Sequence, residues 1–145
     1  MNEPSGKHRT VIVEVGDCKE AIDEALAPLI TAIWQAGINT AMCCQETRPG
    51  IAWIEFESLD DLRDFVNIVA HYEDGVDTLY NRINYQMTGE MSAPEWEYQL
   101  NLTDLNECNS HEGATDIEFT VGVYFPISDI SVILNRVCEA VGAHP

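Results

Sequence analysis

The sequence is short of positive charge. Lysine and arginine together number 7 among 145 residues, against 25 aspartates and glutamates, and the formal net charge is -18. No lysine or arginine occurs between Arg82 and Arg136. A field this negative attracts cations and basic partners and opposes nucleic acid and anionic membranes. We therefore expect neither direct nucleic-acid binding nor membrane binding.

Long apolar runs and a regular cysteine pattern are also missing. No apolar run approaches the roughly 20 residues that span a bilayer, and the first ten residues are too polar for a signal peptide. The five cysteines are odd in number and irregularly spaced, which favours reduced thiols over a disulfide framework. They are Cys18, Cys43, Cys44, Cys108 and Cys138. These absences together predict a cytoplasmic protein.

No catalytic motif stands out. The glycines form no phosphate-binding loop, no Ser, His and Asp pattern marks a triad, and no recognisable motif ties a histidine to Cys44. Cys108 and His111 have C-x2-H spacing, but the adjacent Cys43 and Cys44 are not the usual C-x2-C pair of a zinc site. We therefore assign no catalytic residue, expect no cofactor or stoichiometric zinc, and leave open whether Cys108 and His111 bind metal.

The first half of the chain has a clear order of elements. Alternating valines predict a strand over Thr10–Val15, and Asp17 is the predicted cap of a helix that reaches Gly37. Pro28 lies inside this helical pattern, so the helix is either kinked there or begins afresh with Pro28 in its first turn. Turn residues at 48–50 then join two strands into a hairpin, and Ser58 caps an amphipathic helix.

The second half contributes two strands and a final helix. Residues 71–95 read as a long connection with a short helical turn, and 104–115 as an acidic surface loop. Alternating patterns around 96–103 and 117–125 predict strands with one wet face each. Ser128 is the predicted cap of a helix that ends at Gly142.

These elements predict one α+β domain over residues 1–145, with residues 1–9 flexible. The order is β-α-β-β-α-β-β-α, whose first six elements match a ferredoxin-like arrangement with an extra strand and helix. A mostly antiparallel sheet covered by helices on one face is the favoured architecture. Its other face would display polar side chains, among them Glu97, Gln99, Thr120 and Tyr124, for solvent, binding or oligomerisation.

One segment carries a resemblance. Leu26-Ala-Pro-Leu-Ile, Trp34, Gly37-Ile-Asn-Thr, Cys44-Gln-Glu, Pro49-Gly50 and Trp53-Ile-Glu-Phe56 are similar to a module of small, functionally uncharacterised proteins of bacteria and their phages. The resemblance covers about a third of the chain and implies no reaction, ligand or catalytic residue. It implies that the helix, the hairpin and the following strand belong together as one unit.

The hairpin within this segment is the candidate ligand site. Its predicted members are Cys44, Gln45, Glu46, Arg48 and Trp53. Polar groups beside a turn are well placed to meet a ligand, and Arg48 is one of few cations in an acidic protein. The competing interpretation is structural, because free cysteine is usually a small buried hydrophobe and a turn arginine can pair with a neighbouring acid.

Three functions remain open. The first is a non-enzymatic binding module, forming a homo-oligomer, for a protein or small-molecule partner. The second is a phage or mobile-element inhibitor, directed against a host defence, whose acidic surface imitates a polyanion; this function needs the acids in a continuous stripe. The third is a small thiol or metal-dependent enzyme centred on Cys44, which needs a histidine beside that thiol.

Overall fold

The computed structural model describes residues 8–70, 78–83, 96–103 and 118–142. Within these residues the strands are β1 (Thr10–Val15), β2 (Cys18–Asp23), β3 (Thr40–Arg48), β4 (Ile51–Phe56), β5 (Glu97–Thr103) and β6 (Glu118–Pro126). The helices are α1 (Ala27–Gln35), α2 (Leu59–Val69), α3 (Thr78–Ile83) and α4 (Ile130–Gly142), and a 3-10 turn (Ile127–Asp129) leads into α4. The predicted α+β fold class is confirmed.

Two antiparallel sheets organise the described strands. β1 and β2 form a two-stranded sheet, and the main sheet has the order β3-β4-β6-β5. All the described strand pairs are antiparallel. A split βαβ unit needs a parallel pair, so the main sheet differs from the ferredoxin-like arrangement. The first strand pairs with the unpredicted β2 and leaves the main sheet to the other four strands.

The segment after Asp17 is where the sequence prediction was wrong. Residues Cys18–Asp23 form β2, which pairs with β1, and α1 begins only at Ala27 with Pro28 in its first turn. The alternative in which the helix begins afresh at Pro28 is therefore confirmed. Gly16 has a φ of 57° in the turn between β1 and β2, a conformation that glycine adopts without the usual steric penalty.

Of the two predicted caps of later helices, one is confirmed and one is wrong. Ser58 caps α2 as predicted, since its Oγ accepts a hydrogen bond from the Asp61 amide at 3.1 Å. Ser128 lies inside the 3-10 turn and α4 begins at Ile130, so the predicted Ser128 cap is wrong. Tertiary contacts explain this difference, because Asp129 is buried in the turn and accepts a bond from the indole of Trp96 at 2.9 Å.

One hydrophobic core joins the helices to one face of the main sheet. Ile54, Phe56, Val123 and Phe125 are fully buried on that face. α1 and α2 pack against α4, α2 contacts the sheet, and α1 contacts the small sheet of β1 and β2. The predicted connections over 71–95 and 104–115 lie outside the described residues except for α3, as do residues 1–7 of the predicted flexible start. None of the described helices is long and apolar enough to cross a membrane.

Candidate functional site

The main sheet has a second face that points away from the core. Strand register places Trp53 opposite Tyr124, and Tyr124 opposite Glu97, along one row of this face. The next row holds Glu55, Gly122 and Gln99. We call this surface the open face and define it by Arg48, Trp53, Glu55, Glu97, Gln99, Asn101, Thr120 and Tyr124.

Arg48 reaches across the open face. Its guanidinium carbon lies 5.5 Å from the centre of the Tyr124 ring, and its Nη2 lies 3.1 Å from Glu97 Oε1. Arg48 belongs to β3 and Glu97 to β5, so the ion pair spans the full width of the sheet. Both side chains are about half exposed (49% and 48%), so solvent screens the pair and a ligand can reach both partners.

The aromatic centre of the open face is Trp53 with Tyr124. Their ring centroids are 6.2 Å apart at an interplanar angle of 28°, and the Tyr124 hydroxyl donates to Gln99 Oε1 at 2.9 Å. Trp53 lies over Gly122 so closely that a Cβ there would be 2.8 Å from the indole Nε1. That Nε1 is buried and has no hydrogen-bond partner among the described residues. The absence of a side chain at Gly122 is what lets the indole approach the sheet.

A buried carboxylate completes the open face. Glu55 is only 8% exposed and accepts hydrogen bonds from Asn101 Nδ2 at 2.8 Å and from the Thr120 hydroxyl. The exposed Glu57 lies beyond the end of β4, so the two acids do not act as a pair. Glu55 therefore joins three strands through side-chain hydrogen bonds.

A different group of residues surrounds the start of β1. One ligand atom from each of His8, Asp23 and Cys44 lies within 4.8 Å of the others. Asp23 Oδ2 accepts from the Gln45 amide at 2.9 Å, and Gln45 Oε1 accepts from the Ala25 amide at 2.8 Å. Gln45 Nε2 is 3.4 Å from His8 Nδ1. We call His8, Asp23, Cys44 and Gln45 the β1 cluster.

The adjacent cysteines have different surroundings. Cys43 lies opposite Ile54 in the register and packs against the core, and burial, followed by the charge of Asp23, raises the pKa of its thiol to about 12. Cys44 lies opposite Trp53, and burial also raises its pKa, although a backbone hydrogen bond from Glu46 opposes this shift. Asp23 accepts a hydrogen bond from the Cys44 thiol and raises the pKa further. Both groups are held as neutral thiols.

The predicted site residues thus separate into three places. Arg48 and Trp53 meet on the open face with Tyr124. Cys44 and Gln45 belong to the β1 cluster. Glu46 closes its own turn, where Oε2 accepts from the Gly50 amide at 3.0 Å. The register of β3 with β4 is irregular between Cys44 and Arg48, and this irregularity separates residues that are close in sequence.

Sequence reasoning missed several partners of these residues. Glu97, Gln99 and Tyr124 were predicted on the polar sheet face but were not connected with Arg48, because nothing in the sequence indicated that β6 lies between β4 and β5. Asp23 was missed because its segment was read as a helix. His8 was one of four histidines with no motif linking it to Cys44. The pairing of β1 with β2 brings Asp23 back to the start of β1.

An apolar cavity of about 430 Å³ lies apart from both groups. Its lining residues come from α2, α3 and β5 and from the residue that follows α2: Leu59, Leu62, Arg63, Val66, Asn67, Ala70, Tyr80 and Tyr98. Burial raises the pKa of Tyr98, whose hydroxyl donates to the Ile83 carbonyl at 2.9 Å. Its described lining is mostly apolar, with Arg63 as the charged member, so the cavity offers shape and apolar surface to a ligand rather than reactive groups.

Comparison with known proteins finds a viral relative of this chain. The chain is 31% identical over 121 residues to an uncharacterised protein of Acanthamoeba polyphaga mimivirus, a match that covers 81% of this chain and 61% of the viral protein. The chain thus spans about three fifths of the length of that relative. No family model matches the chain, and no solved structure gives a significant match. A resemblance to uncharacterised proteins is confirmed, while the narrower grouping with bacterial and phage proteins stays a prediction.

Proposed function

We propose that this protein is a non-enzymatic binding module that holds a basic protein partner on the open face. The observation that carries the proposal is the Arg48 guanidinium over the ring of Tyr124, which in turn stacks with Trp53. Tryptophan, tyrosine and arginine are the residue types most enriched at the energetic centres of protein interfaces. Their convergence on one sheet face, from β3, β4 and β6, favours a docking surface over a solvated one.

The polar groups around this centre suit an interface. Glu97 and Gln99 present acceptor oxygens on one side of this centre. Both accept hydrogen bonds from side chains of the open face, Glu97 from Arg48 and Gln99 from Tyr124. The surrounding protein is acidic, with a net charge of -18. Complementary charge speeds encounter and rejects acidic partners, so the partner should carry lysine or arginine opposite Glu97.

A small-molecule ligand is the alternative within the same class. The apolar cavity beside Tyr80 and Tyr98 is the better place for it, because small ligands bind in concave sites and the open face is built on a sheet surface. Substitutions of Arg48 and Arg63 therefore distinguish a protein partner on the open face from a small ligand in the cavity. Arg48 lies on the open face, and Arg63 lines the cavity while pairing with Asp60 at 2.9 Å.

Selection from a displayed library of random peptides tests the proposal without a known partner. We expect the peptides enriched on the protein to be rich in lysine or arginine and to bind Tyr124→Ala at least about tenfold more weakly, as for truncation of an interface anchor. Arg48→Ala should weaken the same peptides through loss of a charged contact. Arg63→Ala is the matched control, since it also removes an exposed, ion-paired arginine.

The results of this selection distinguish docking on the open face from binding in the cavity. Enriched peptides that bind Tyr124→Ala and Arg48→Ala as tightly as the parent would contradict docking on the open face. Peptides sensitive only to Arg63→Ala would move the site to the cavity. A library that yields acidic peptides would contradict the charge argument while leaving the face itself in place.

A homo-oligomer is a further part of the proposal, supported by the outer strands of the main sheet. Met42 on β3 and Leu100 on β5 are 61% and 60% exposed, and β3 and β5 are the terminal strands of the described sheet. Terminal strands offer unpaired backbone groups that a second copy can cover. Light scattering coupled to size exclusion at micromolar concentration should give at least a dimer. A 16.2 kDa species would contradict it.

An inhibitor that imitates a polyanion is the second candidate function, supported by the net charge and by the likeness to a viral protein. Such an inhibitor, whether from a phage or another mobile element acting against a host defence, would displace DNA from a basic DNA-binding protein. The displacement should weaken steeply with salt. On the open face, however, the acids are the buried Glu55 and the single exposed Glu97, which do not make the continuous stripe that such imitation needs, and this favours the first candidate.

A further inference from the structure

We propose that His8, Asp23 and Cys44 form a binding site for a divalent transition-metal ion, with zinc as the metal whose chemistry fits best. The site lies beside the open face, since Cys44 is opposite Trp53 in the strand register, and its proposal does not rest on the docking function. It opposes the expectation of a metal-free protein, which was drawn from sequence spacing. The three ligands come from the position two residues before β1, from the end of β2 and from the middle of β3, so no linear motif in the sequence predicts them.

The distances are close to those of a metal site. One donor atom from each residue lies within 4.8 Å of the other two. Ligand atoms at the usual zinc distances of about 2.0–2.3 Å are about 3.3–3.8 Å apart in a tetrahedron. The three donor atoms therefore need to approach one another by about 1 Å to reach the spacing of a zinc site.

The donor set is selective. A thiolate, an imidazole nitrogen and a carboxylate oxygen are the three ligand types that zinc takes from proteins. Calcium and magnesium prefer oxygen ligands alone, so a cysteine and a histidine disfavour them. Three protein ligands leave a fourth position for water or for a donor from a bound molecule.

The electrostatics favour a metal over a thiol nucleophile. In a catalytic cysteine site a histidine stabilises the thiolate, whereas here the carboxylate of Asp23 also lies beside the thiol and its negative charge opposes a free thiolate. A divalent cation reverses this effect, since it attracts both the carboxylate and the thiolate. Binding would displace the Cys44 proton, so that one thiol and one M²⁺ give one metal thiolate and one H⁺.

The residues around the ligands hold them in place. The Gln45 amide donates to Asp23 Oδ2, and the Ala25 amide fixes Gln45 Oε1, so that the amino group of Gln45 faces the imidazole of His8. His8 Nε2 is buried and has no hydrogen-bond partner among the described residues. Coordination through this atom would satisfy it and would place the ring proton on Nδ1, which would then no longer accept from the Gln45 amino group. The hydrogen bond from the Gln45 backbone amide to Asp23 Oδ2 is an outer contact of the kind that orients a metal ligand.

Titration with cobalt and zinc tests the site. Cobalt should give a thiolate-to-metal charge-transfer band in the near ultraviolet with one ion per chain, and an excess of zinc should remove it. Calorimetry in two buffers of different ionisation enthalpy should show about one proton released per zinc near neutral pH. His8→Ala and Cys44→Ser should each weaken zinc binding by about 100-fold or more.

The controls keep the test independent of folding. Cys18→Ser and Cys138→Ser replace exposed free cysteines and should bind zinc as the parent does. Circular dichroism of each metal-free variant checks that the chain has folded. The proposal is overturned by the absence of stoichiometric binding below about 10 µM zinc, roughly -7 kcal/mol in affinity terms. Binding that survives both His8→Ala and Cys44→Ser also overturns it and directs attention to Cys108 and His111, which lie outside the described residues.

Discussion

The two faces of the main sheet are built from alternate residues of the same strands and behave differently. On β6, Phe125 is fully buried and stacks against Trp96 at 5.1 Å, while its neighbour Tyr124 is half-buried beneath Arg48 on the open face. Apolar packing stabilises the core face, whereas ion pairs, side-chain hydrogen bonds and aromatic contacts connect the residues of the open face. Stability should therefore depend mainly on the first face and recognition on the second.

The largest expected effect comes from the core face. Phe125→Ala should lower the free energy of unfolding by about 3–5 kcal/mol, because it leaves a cavity against Trp96. Tyr124→Ala, one residue away, should cost about 1–2 kcal/mol, since the ring is half-exposed. Urea denaturation of both variants measures the difference. Equal losses would mean that the open face contributes to the core after all.

The next effect tests the close approach of Trp53 to β6. Gly122→Ala should destabilise the protein by about 1–3 kcal/mol, because its new Cβ would lie 2.8 Å from the indole Nε1. The same change in a Trp53→Ala background should cost much less. A double-mutant cycle measures this coupling. Additive effects of the two substitutions would show that the indole is not what excludes a side chain at position 122.

A smaller effect depends on pH and on Cys43, which lies on the core face. Its folded pKa of about 12 exceeds the ordinary 9.0, so the unfolded state loses the proton first and stability should fall as pH rises through this interval. The loss by pH 10 should be about 1 kcal/mol. Urea denaturation at pH 8 and pH 10 should show it in the parent and not in Cys43→Ala. An unchanged difference in that variant would assign the alkaline loss to other groups.

The smallest effect on stability concerns the two ion-paired arginines. Arg48→Ala should cost about 1 kcal/mol, from an exposed ion pair and a cation-π contact. Arg63→Ala removes an exposed i,i+3 pair on a helix and should cost about 0.3 kcal/mol. Thermal unfolding in low and high salt compares them. A larger loss for Arg63→Ala would indicate that Arg48 adds nothing by spanning the sheet.

Trp53 shows how the two faces can be confused from sequence. The strand after the turn was predicted, with Trp53 as a member of the candidate ligand site. The structure places Trp53 on the open face, where it is partly exposed. Trp96, by contrast, is fully buried and donates to Asp129. Period-two patterns identify which residues share a face and leave open which face is covered.

Local sequence determined the elements with strong patterns. The alternating valines of β1, the Pro-Gly turn between β3 and β4, the Ser58 cap and the apolar stripe of α2 all act through neighbouring residues, and each was predicted. Charge and composition were likewise properties of the chain alone. These features need no distant partner, because propensity, capping and periodicity operate over a few residues.

Tertiary structure decided the rest. Cys18–Asp23 became a strand because β1 offers it a full antiparallel register, which outweighs a capping pattern at Asp17. The meeting of Arg48 with Glu97, 49 residues apart, and of His8 with Cys44 depends on which strands lie side by side. Strand order is set by packing of the whole core, so both candidate sites follow from long-range contacts that no local pattern records.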